Sequence, residues 1–254
     1  MTTRDLLSAT LDAARLAGAT AVRQWRAGLA AEMKTDGSPV TAADRATERA
    51  VRDWISTRFP DDGILGEEFG DTPGTSGRRW LVDPIDGTKA FVAGVPLWGS
   101  LVAVIEDDRV LAGAASYPAV QEDLAAAPGQ GCWHNGVRCR VSTVAELHKA
   151  TVLTTDLTSF QERPRLARWV ALAREARQSR TWGDCYGYLL VATGRAEVMC
   201  DPILHPWDGA CFVPIIAEAG GVITDWEGGG GPVLRSAVAT NGALAAEVRT
   251  RLGA

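Results

Sequence analysis

The chain has 254 residues and a net charge of −5 at neutral pH, and its charges are scattered along the sequence. No basic stripe suits a nucleic acid and no cluster of lysine and arginine suits an anionic membrane, so we expect a small-molecule partner. The N-terminal stretch contains an early acid and no long apolar run, which is unlike a signal peptide, and nothing approaches a membrane span. We therefore expect a cytoplasmic protein.

The chemistry of cysteine and histidine points away from two common kinds of site. The five cysteines form no C-x-x-C pair and are odd in number, which fits reduced, mostly buried thiols. The histidines His134, His148 and His205 are far apart and lack paired spacing, so a zinc site is not expected. No G-x-S-x-G elbow is present, which argues against a Ser-His-Asp hydrolase.

The N-terminal segment has apolar residues at helical spacing over residues 4 to 27, which predicts a long amphipathic helix. An Asp36-Gly37 turn signal follows. A second helix is predicted from about Ala42 to Phe59, and Thr41 with Asp44 resembles a capping box at its start. Taken alone, Asp44 is a capping acid that the helix dipole favours.

Acidic residues then accumulate around one predicted strand. A turn at Asp61-Asp62-Gly63 leads to Glu67 and Glu68, which alone would be solvated surface acids. Trp80 to Val82 predict a buried strand that ends at Asp83-Pro84, because proline donates no ladder hydrogen bond. A turn through Gly87 brings Asp83 and Asp86 to one side, and a helix opens at Thr88. Carboxylates beside a helix N-terminus would repel phosphate unless a hard divalent cation lay between them.

The remaining sequence changes from strands to an alternation of strand and helix. An antiparallel meander is predicted over Leu97 to Ile105, Val110 to Tyr117 and Asp123 to Ala127, and Asn135-Gly136 predicts a hairpin in which His134 is structural. The alternating part predicts stacked layers of helix and sheet. Its predicted segments are Ala150 to Thr154, Pro164 to Arg177, Arg180 to Trp182, Cys185 to Thr193, Glu197 to Cys200, Trp207 to Ala219, Val222 to Thr224 and Ala243 to Leu252.

Several motifs, in this order, resemble those of the inositol monophosphatase family of metal-dependent phosphatases. They are Val40-Thr-Ala-Ala-Asp44, Gly66-Glu-Glu68, Asp83-Pro-Ile-Asp-Gly-Thr88, and Trp207-Asp-Gly-Ala210 with Glu218-Ala-Gly-Gly221 downstream. The resemblance implies an α/β fold, a layered αβαβα sandwich of the inositol monophosphatase and fructose bisphosphatase type. It also implies a single domain of two packed lobes, about residues 1–140 and 141–254, and a homodimer.

The same resemblance implies a magnesium-dependent hydrolysis of phosphate monoesters. Two Mg²⁺ ions, with a weaker third, and Mn²⁺ as a substitute, are expected on oxygen ligands. The implied metal ligands are Glu67, Asp83, the Ile85 carbonyl, Asp86 and Asp208. The implied catalytic residues, which activate the attacking water, are Asp44, Glu67 and Thr88.

The implied substrate-binding residues are less uniform than the metal ligands. They are Ile85, Gly87, Thr88, Gly183, Asp184, Cys185, Asp201 and Asp208. Inositol phosphatases of the family usually have small residues where this chain has Gly183-Asp184-Cys185, and acids at Asp184 and Asp201 suit a cationic leaving group. The segment resembles the histidinol-phosphatase branch, so histidinol phosphate is the expected substrate.

Three alternatives remain open. Asp184 could merely cap the helix that follows it, since aspartate is a preferred N-cap. The enzyme could be an inositol monophosphatase of broad specificity. A family member that has become a binding or regulatory protein belongs to a different class, against which the presence of all five acids at the motif positions argues.

Overall fold

The computed structural model describes residues 2–26, 32–33 and 39–254. The predicted Asp36-Gly37 turn and residue 27, the predicted end of the first helix, lie outside these ranges. The helices within them are α1 (Thr3–Val22), α2 (Ala42–Arg58), α3 (Thr88–Val92), α4 (Arg163–Glu175), α5 (Asp184–Ala192), α6 (Pro206–Gly209), α7 (Phe212–Glu218) and α8 (Ala245–Leu252), with short 3-10 helices at Leu147–Lys149 and Leu157–Ser159.

The described strands form three sheets. They are β1 (Glu32–Met33), β2 (Pro39–Val40), β3 (Gly63–Gly66), β4 (Gly70–Thr72), β5 (Arg78–Asp86), β6 (Gly99–Glu106), β7 (Arg109–Tyr117), β8 (Glu122–Ala127), β9 (Gly131–His134), β10 (Val137–Arg138), β11 (Thr151–Thr154), β12 (Gln178–Arg180), β13 (Val198–Asp201), β14 (Gly221–Thr224) and β15 (Ala237–Asn241). Strands β1 and β2 pair with each other, an eight-stranded sheet has the order β10-β9-β8-β7-β6-β5-β3-β4, and a five-stranded sheet has the order β12-β11-β13-β15-β14.

Three of the buried clusters define the layers. Val82 and its neighbours on one face of the large sheet pack against α1 and α2. Leu81, on the opposite face, joins a core with α5, α7 and Met199 of the small sheet. Val198, on the far face of that sheet, packs against α4 and α8. Helix, sheet, helix, sheet and helix therefore alternate, which confirms the αβαβα fold, whereas the lobe boundary near residue 140 stays a prediction.

The predicted end of the strand at Pro84 is wrong. Strand β5 continues to Asp86, but its register with β6 shifts: Asp83 pairs with Leu101 and Asp86 pairs with Gly99. Pro84 lies inside this β-bulge, where no ladder bond requires an N–H group. Its carbonyl accepts a hydrogen bond from Ser100 Oγ at 2.7 Å. The bulge, rather than a strand end, re-aims the carboxylates of this segment.

Two further differences come from the second half of the chain. The helix predicted from Trp207 to Ala219 is divided into α6 and α7, and Pro214 occupies the first turn of α7, where its missing N–H group costs least. Strand β15 was not predicted, because it is short and three of its five residues, two alanines and an asparagine, are of types depleted in strands. It nevertheless pairs with both β13 and β14 and is fully buried.

The last hairpin of the large sheet follows the prediction. Asn135 and Gly136, between β9 and β10, have φ angles of 47° and 77°, as the Asn-Gly turn requires. His134 Nε2 lies 2.7 Å from Glu122 Oε2. Glu122 also pairs with Arg195, so His134 belongs to a surface ion-pair network. Among the described residues, no helix has the length and apolar character that crossing a bilayer requires.

Candidate active site

A cleft of about 820 Å³ lies between the end of β5 and the second half of the chain. Its described lining includes six carboxylates and one lysine. The acids are Glu67, Asp86, Asp156, Asp184, Asp201 and Asp208, and the lysine is Lys89. Such an imbalance attracts cations, whether metal ions or a positively charged substrate.

Asp83 and Asp86 lie on either side of the bulge. Asp83 is almost completely buried, and its Oδ1 accepts a hydrogen bond from the Ile85 N–H at 3.0 Å. Asp86 Oδ2 accepts one from the Cys185 N–H at 2.5 Å. Burial raises the pKa of both carboxyl groups well above the usual value, and neighbouring carboxylates raise it further. Each side chain is therefore held by a backbone amide in a place that resists its negative charge.

Glu67 and Asp44 bring acids from two other elements to the same place. Glu67 follows β3, and its N–H donates to the Val82 carbonyl at 3.2 Å. Its charge raises the pKa of Asp83. Asp44 is buried at the start of α2, where its Oδ2 accepts hydrogen bonds from the Thr41 amide and hydroxyl at 2.7 and 2.6 Å. The predicted capping box is confirmed, and burial, followed by the charge of Glu67, raises the pKa of Asp44.

Asp208 comes from the second half of the chain. It lies in α6, and its Oδ2 accepts a hydrogen bond from the His205 N–H at 2.8 Å. Burial raises its pKa to about 7, and the charges of Glu67 and Asp201 act in the same direction. Asp83, Asp86 and Asp208 repel one another, so these carboxylates form one electrostatic unit although they come from distant segments.

This unit has the donor chemistry of a hard cation site. Three carboxylates each use one oxygen on a backbone amide, and the Ile85 carbonyl already accepts a hydrogen bond from Thr88 Oγ1 at 3.0 Å. Among the described residues, however, no three acidic, histidine or cysteine side chains are arranged to hold a metal ion as they stand. Oxygen donors and an excess of negative charge nevertheless fit Mg²⁺, a hard cation that prefers carboxylate and carbonyl ligands.

Gly87 permits the tight passage from the bulge into α3. Its φ angle is +84°, which disfavours any residue with a side chain. A Cβ atom at this position would also lie 2.9 Å from the Leu97 carbonyl oxygen. Gly87 and Thr88 line the cleft at the first turn of the five-residue helix α3.

The predicted specificity residues lie on the opposite wall. Asp201 ends β13, and its two oxygens accept hydrogen bonds from Thr155 Oγ1 at 2.5 Å and from Tyr188 Oη at 2.8 Å. Burial raises its pKa to about 7. Asp184 does not cap α5 with its side chain. Instead, its N–H donates to Thr155 Oγ1 at 2.7 Å, and burial raises its pKa to about 6 against the opposing charge of Lys89.

Gly183 fixes how closely this wall approaches the strand behind it. A Cβ atom on Gly183 would lie 2.1 Å from the Thr155 Cα atom, so only glycine fits. Cys185 is completely buried and contributes its amide to Asp86. Gly183, Asp184, Asp201 and Asp208 therefore line one cleft with Asp86, whereas Cys185 lies buried behind its wall.

Three supporting residues were not foreseen from the sequence. Thr155 and Tyr188 hold Asp201. Tyr188 ends the segment from Trp182 that resembles the histidinol-phosphatase branch, but the resemblance assigned it no role, and no motif marks Thr155. Glu48 is completely buried in α2, and its carboxylate accepts hydrogen bonds from the amides of Glu68 and Phe69 at 2.6 and 3.2 Å. A glutamate in a capped amphipathic helix is expected to have a solvated side chain. The acid-rich stretch at Glu67 and Glu68 is the only feature of the sequence that could have indicated a partner for Glu48.

Comparisons with known proteins agree with this geometry. A model of the inositol monophosphatase family matches residues 3–252. A histidinol-phosphatase of Chlorobaculum parvum is 45% identical over 195 residues, which are 77% of this chain and 75% of the relative. A histidinol-phosphatase of Mycobacterium tuberculosis is 42% identical over 255 residues and 98% of both proteins.

A solved structure of a Thermotoga maritima IMPase superposes with a TM-score of 0.88 at 30% identity, over 98% of this chain and 97% of that one. Fold and sequence similarity therefore agree over nearly the whole chain. The resemblance inferred from the motifs is confirmed, and the chain belongs to the inositol monophosphatase family.

Proposed function

We propose that this protein is a Mg²⁺-dependent phosphate monoester hydrolase that converts L-histidinol phosphate and water into L-histidinol and phosphate. The observation that carries the proposal is the cleft in which partly or fully buried carboxylates from both halves of the chain converge without a matching number of basic residues. The names of the two histidinol-phosphatase relatives support the substrate.

Glu67, Asp83, Asp86, Asp208 and the Ile85 carbonyl are the groups that would hold Mg²⁺. Bound there, the metal would neutralise these carboxylates, polarise the substrate phosphate and favour the deprotonated, nucleophilic form of the attacking water. Two ions, a weaker third and substitution by Mn²⁺ all belong to the proposal.

The chain's own residues then supply positioning and proton transfer. Asp44 and Thr88 orient the attacking water together with Glu67, and the Gly87 and Thr88 amides bind phosphate oxygens. Thr88 is well placed for this role because its hydroxyl is already fixed by the Ile85 carbonyl at 3.0 Å. Such pre-organisation contributes to rate because the groups need not reorient during the reaction.

Asp184 and Asp201 supply the recognition of the alcohol. Histidinol carries an ammonium group and an imidazole, and a carboxylate facing the cleft attracts either cation. Asp184 is the better candidate for direct contact, because none of its carboxylate oxygens is required to cap α5. Asp201 acts next to it, with Thr155 and Tyr188 fixing its orientation.

One observation favours the second candidate, an inositol monophosphatase of broad specificity. Both oxygens of Asp201 already accept hydrogen bonds from neutral hydroxyl groups. An acid satisfied in this way offers less attraction to a cation, and a neutral polyol would then fit the cleft as well. The two substrates therefore have to be compared directly.

The deciding experiment measures phosphate release with Mg²⁺ from L-histidinol phosphate and from inositol 1-phosphate. We expect kcat/KM to favour histidinol phosphate by about a hundredfold, or roughly 2.7 kcal/mol of transition-state discrimination. Asp184→Asn should remove most of this preference, whereas Asp108→Asn, an exposed acid in the β6–β7 turn, should preserve it. Equal rates on both substrates would leave a phosphatase without the proposed specificity.

The assembly and location of the protein belong to the same proposal. We propose a homodimer in the cytoplasm, built from single-domain chains whose two lobes meet near residue 140. Sedimentation of the purified protein tests the dimer, and limited proteolysis near residue 140 tests whether either lobe is stable alone.

A further inference from the structure

Two thiols outside the cleft lie close enough to react with each other. Cys132, in β9, and Cys139, directly after β10, face each other across the hairpin, and their Sγ atoms are 3.3 Å apart. The Cys139 N–H also donates to the Cys132 carbonyl at 3.1 Å. A disulfide has an S–S distance of about 2.05 Å, so a closure of little more than 1 Å separates the contact from a bond.

The hairpin holds this pair in register. Its Asn135-Gly136 turn fixes the strand alignment, and the Gly129 and Gly131 amides donate to the Glu218 carboxylate at 2.8 and 2.6 Å. Arg138 folds back over Gly131 and donates to the Gln130 carbonyl at 2.9 Å. The sulfur atoms therefore meet because of a constrained backbone, which lowers the entropy lost when they bond.

The two thiols differ in the way that stepwise oxidation requires. Cys132 is completely buried, whereas Cys139 is only partly buried and open to a small reagent. The hydrogen bond with Cys132 lowers the pKa of the Cys139 thiol, and the positive charge of Arg195 adds to this. Cys139 is thus suited to attack first, since the thiolate is the nucleophile. The hydrogen bond with Cys139 and burial raise the pKa of the Cys132 thiol, so Cys132 attacks second, after Cys139 has reacted.

We propose that Cys132 and Cys139 form a reversible disulfide by exchange with a low-molecular-weight disulfide such as oxidised glutathione. The Cys139 thiolate attacks one sulfur of the reagent, forms a mixed disulfide and releases one thiol. Cys132 then attacks the Cys139 sulfur, loses its proton and releases the second thiol. The protein is oxidised by two electrons and the reagent is reduced by the same two.

The bond would lie where the chain leaves the large sheet for the small one. Val141, two residues after Cys139, donates its N–H to the Ala219 carbonyl at 3.0 Å, just after the Glu218 that holds the hairpin. The disulfide would therefore connect a sheet edge to the connecting segment beside the C-terminal end of α7. This site is separate from the cleft and does not depend on the proposed substrate.

The test incubates the intact, unsubstituted protein in glutathione buffers of increasing oxidised fraction, blocks free thiols in acid and maps the tryptic peptides. Arg138 lies between the two cysteines, so trypsin separates them and the disulfide joins the peptide of residues 110–138 to Cys139-Arg140. We expect this linked peptide to accumulate and to disappear with dithiothreitol, while Cys185, Cys200 and Cys211 remain thiols. A mixed disulfide of Cys139 with glutathione but no Cys132–Cys139 disulfide would overturn the proposal. Cys132 and Cys139 that remain thiols in fully oxidised glutathione would also overturn it.

A thermal measurement supplies the second readout. Oxidation should raise the thermal midpoint of the unsubstituted protein by about 5 °C, because a short loop is closed in the unfolded chain. The Cys139→Ser variant should show no such shift. An equal shift in that variant would assign the effect to other cysteines and refute the proposal, and if the variant does not fold, the peptide map alone decides.

Discussion

The replacement of Glu48 by glutamine tests whether this buried acid, which lies outside the cleft, positions Glu67 inside it. Glu48 Oε2 accepts the Glu68 N–H, and Oε1 accepts the Phe69 N–H together with Arg52 Nε at 2.7 Å. Glutamine has the same shape, but it replaces one acceptor oxygen with a donor NH₂ group. In Glu48→Gln, the new NH₂ group therefore points at one or two N–H donors, and the hydrogen bonds from those donors are lost.

The magnitude follows from these contacts. A hydrogen bond to a charged group contributes about 1.5–3 kcal/mol, and a buried cation that loses its partner costs about 3–5 kcal/mol. Arg52 is not fully buried, since 13% of its side chain is exposed, so it can recover part of its solvation. We therefore expect Glu48→Gln to lower the free energy of unfolding by about 3 kcal/mol, or the thermal midpoint by about 6–12 °C.

The functional consequence is measured as the Mg²⁺ dependence of turnover. Because the Glu68 and Phe69 amides directly follow Glu67, their release should misplace Glu67 and raise the Mg²⁺ concentration for half-maximal activity by about tenfold, or roughly 1.4 kcal/mol. Isothermal titration of the protein with Mg²⁺ should show the same weakening. Glu32→Gln, which removes an exposed partner of Arg45, is the matched control. An unchanged midpoint and Mg²⁺ dependence in Glu48→Gln would refute the reasoning.

Three further outcomes are expected. Asp86→Asn should lower kcat by about a thousandfold, because several kcal/mol of metal-dependent stabilisation of the transition state is lost. In the absence of metal, the variant should melt no lower than the unsubstituted protein, since a charge repelled by its neighbours is removed. Substantial turnover by the variant would refute the assignment of Asp86 as a metal ligand. Gly66→Ala should destabilise the fold, because its Cβ would lie 2.0 Å from Glu48 Oε1, and a melting curve equal to that of the parent would contradict this. Burial raises the pKa of Asp62, but hydrogen bonds from groups including Arg78 outweigh it and hold that pKa below its usual value. This stabilisation is present above the unfolded pKa of about 4 and is lost as pH falls through the folded pKa. The difference in free energy of unfolding between Asp62→Asn and the unsubstituted protein should therefore become smaller as the pH is lowered. A difference that does not change with pH would refute this role of Asp62.

The fold was predictable where local patterns and long-range packing agree. The capping box at Thr41, the Asn135-Gly136 turn and the meander all follow from short-range rules, and each is confirmed. The rules failed where partner strands decide. Pro84 does not end its strand, because no ladder hydrogen bond is required from its position in the bulge. Strand β15 forms because the strands on both sides supply hydrogen bonds, which its own sequence does not indicate.

The site shows the same division. The acids at 67, 83, 86 and 208 were identifiable because they stand in motifs whose order along the chain is specific. The groups that hold the cleft walls were not, because Thr155 reaches Asp201 across 46 positions and Glu48 reaches Glu68 across 20. Such contacts depend on how layers stack, which a single sequence leaves open, and the metal and specificity roles themselves remain predictions.

The hydrogen bond between Asp86 and the Cys185 amide has a consequence for unfolding. One partner ends a strand of the large sheet, whereas the other begins a helix that packs on the small sheet. A ligand that binds these walls together binds only when both sheets are folded, and so its binding energy is added to the cooperativity between them. Calorimetry with a phosphate ligand and Mg²⁺ should then show both sheets unfolding together at a higher temperature, and the ligand-bound protein should resist proteases better than the free protein.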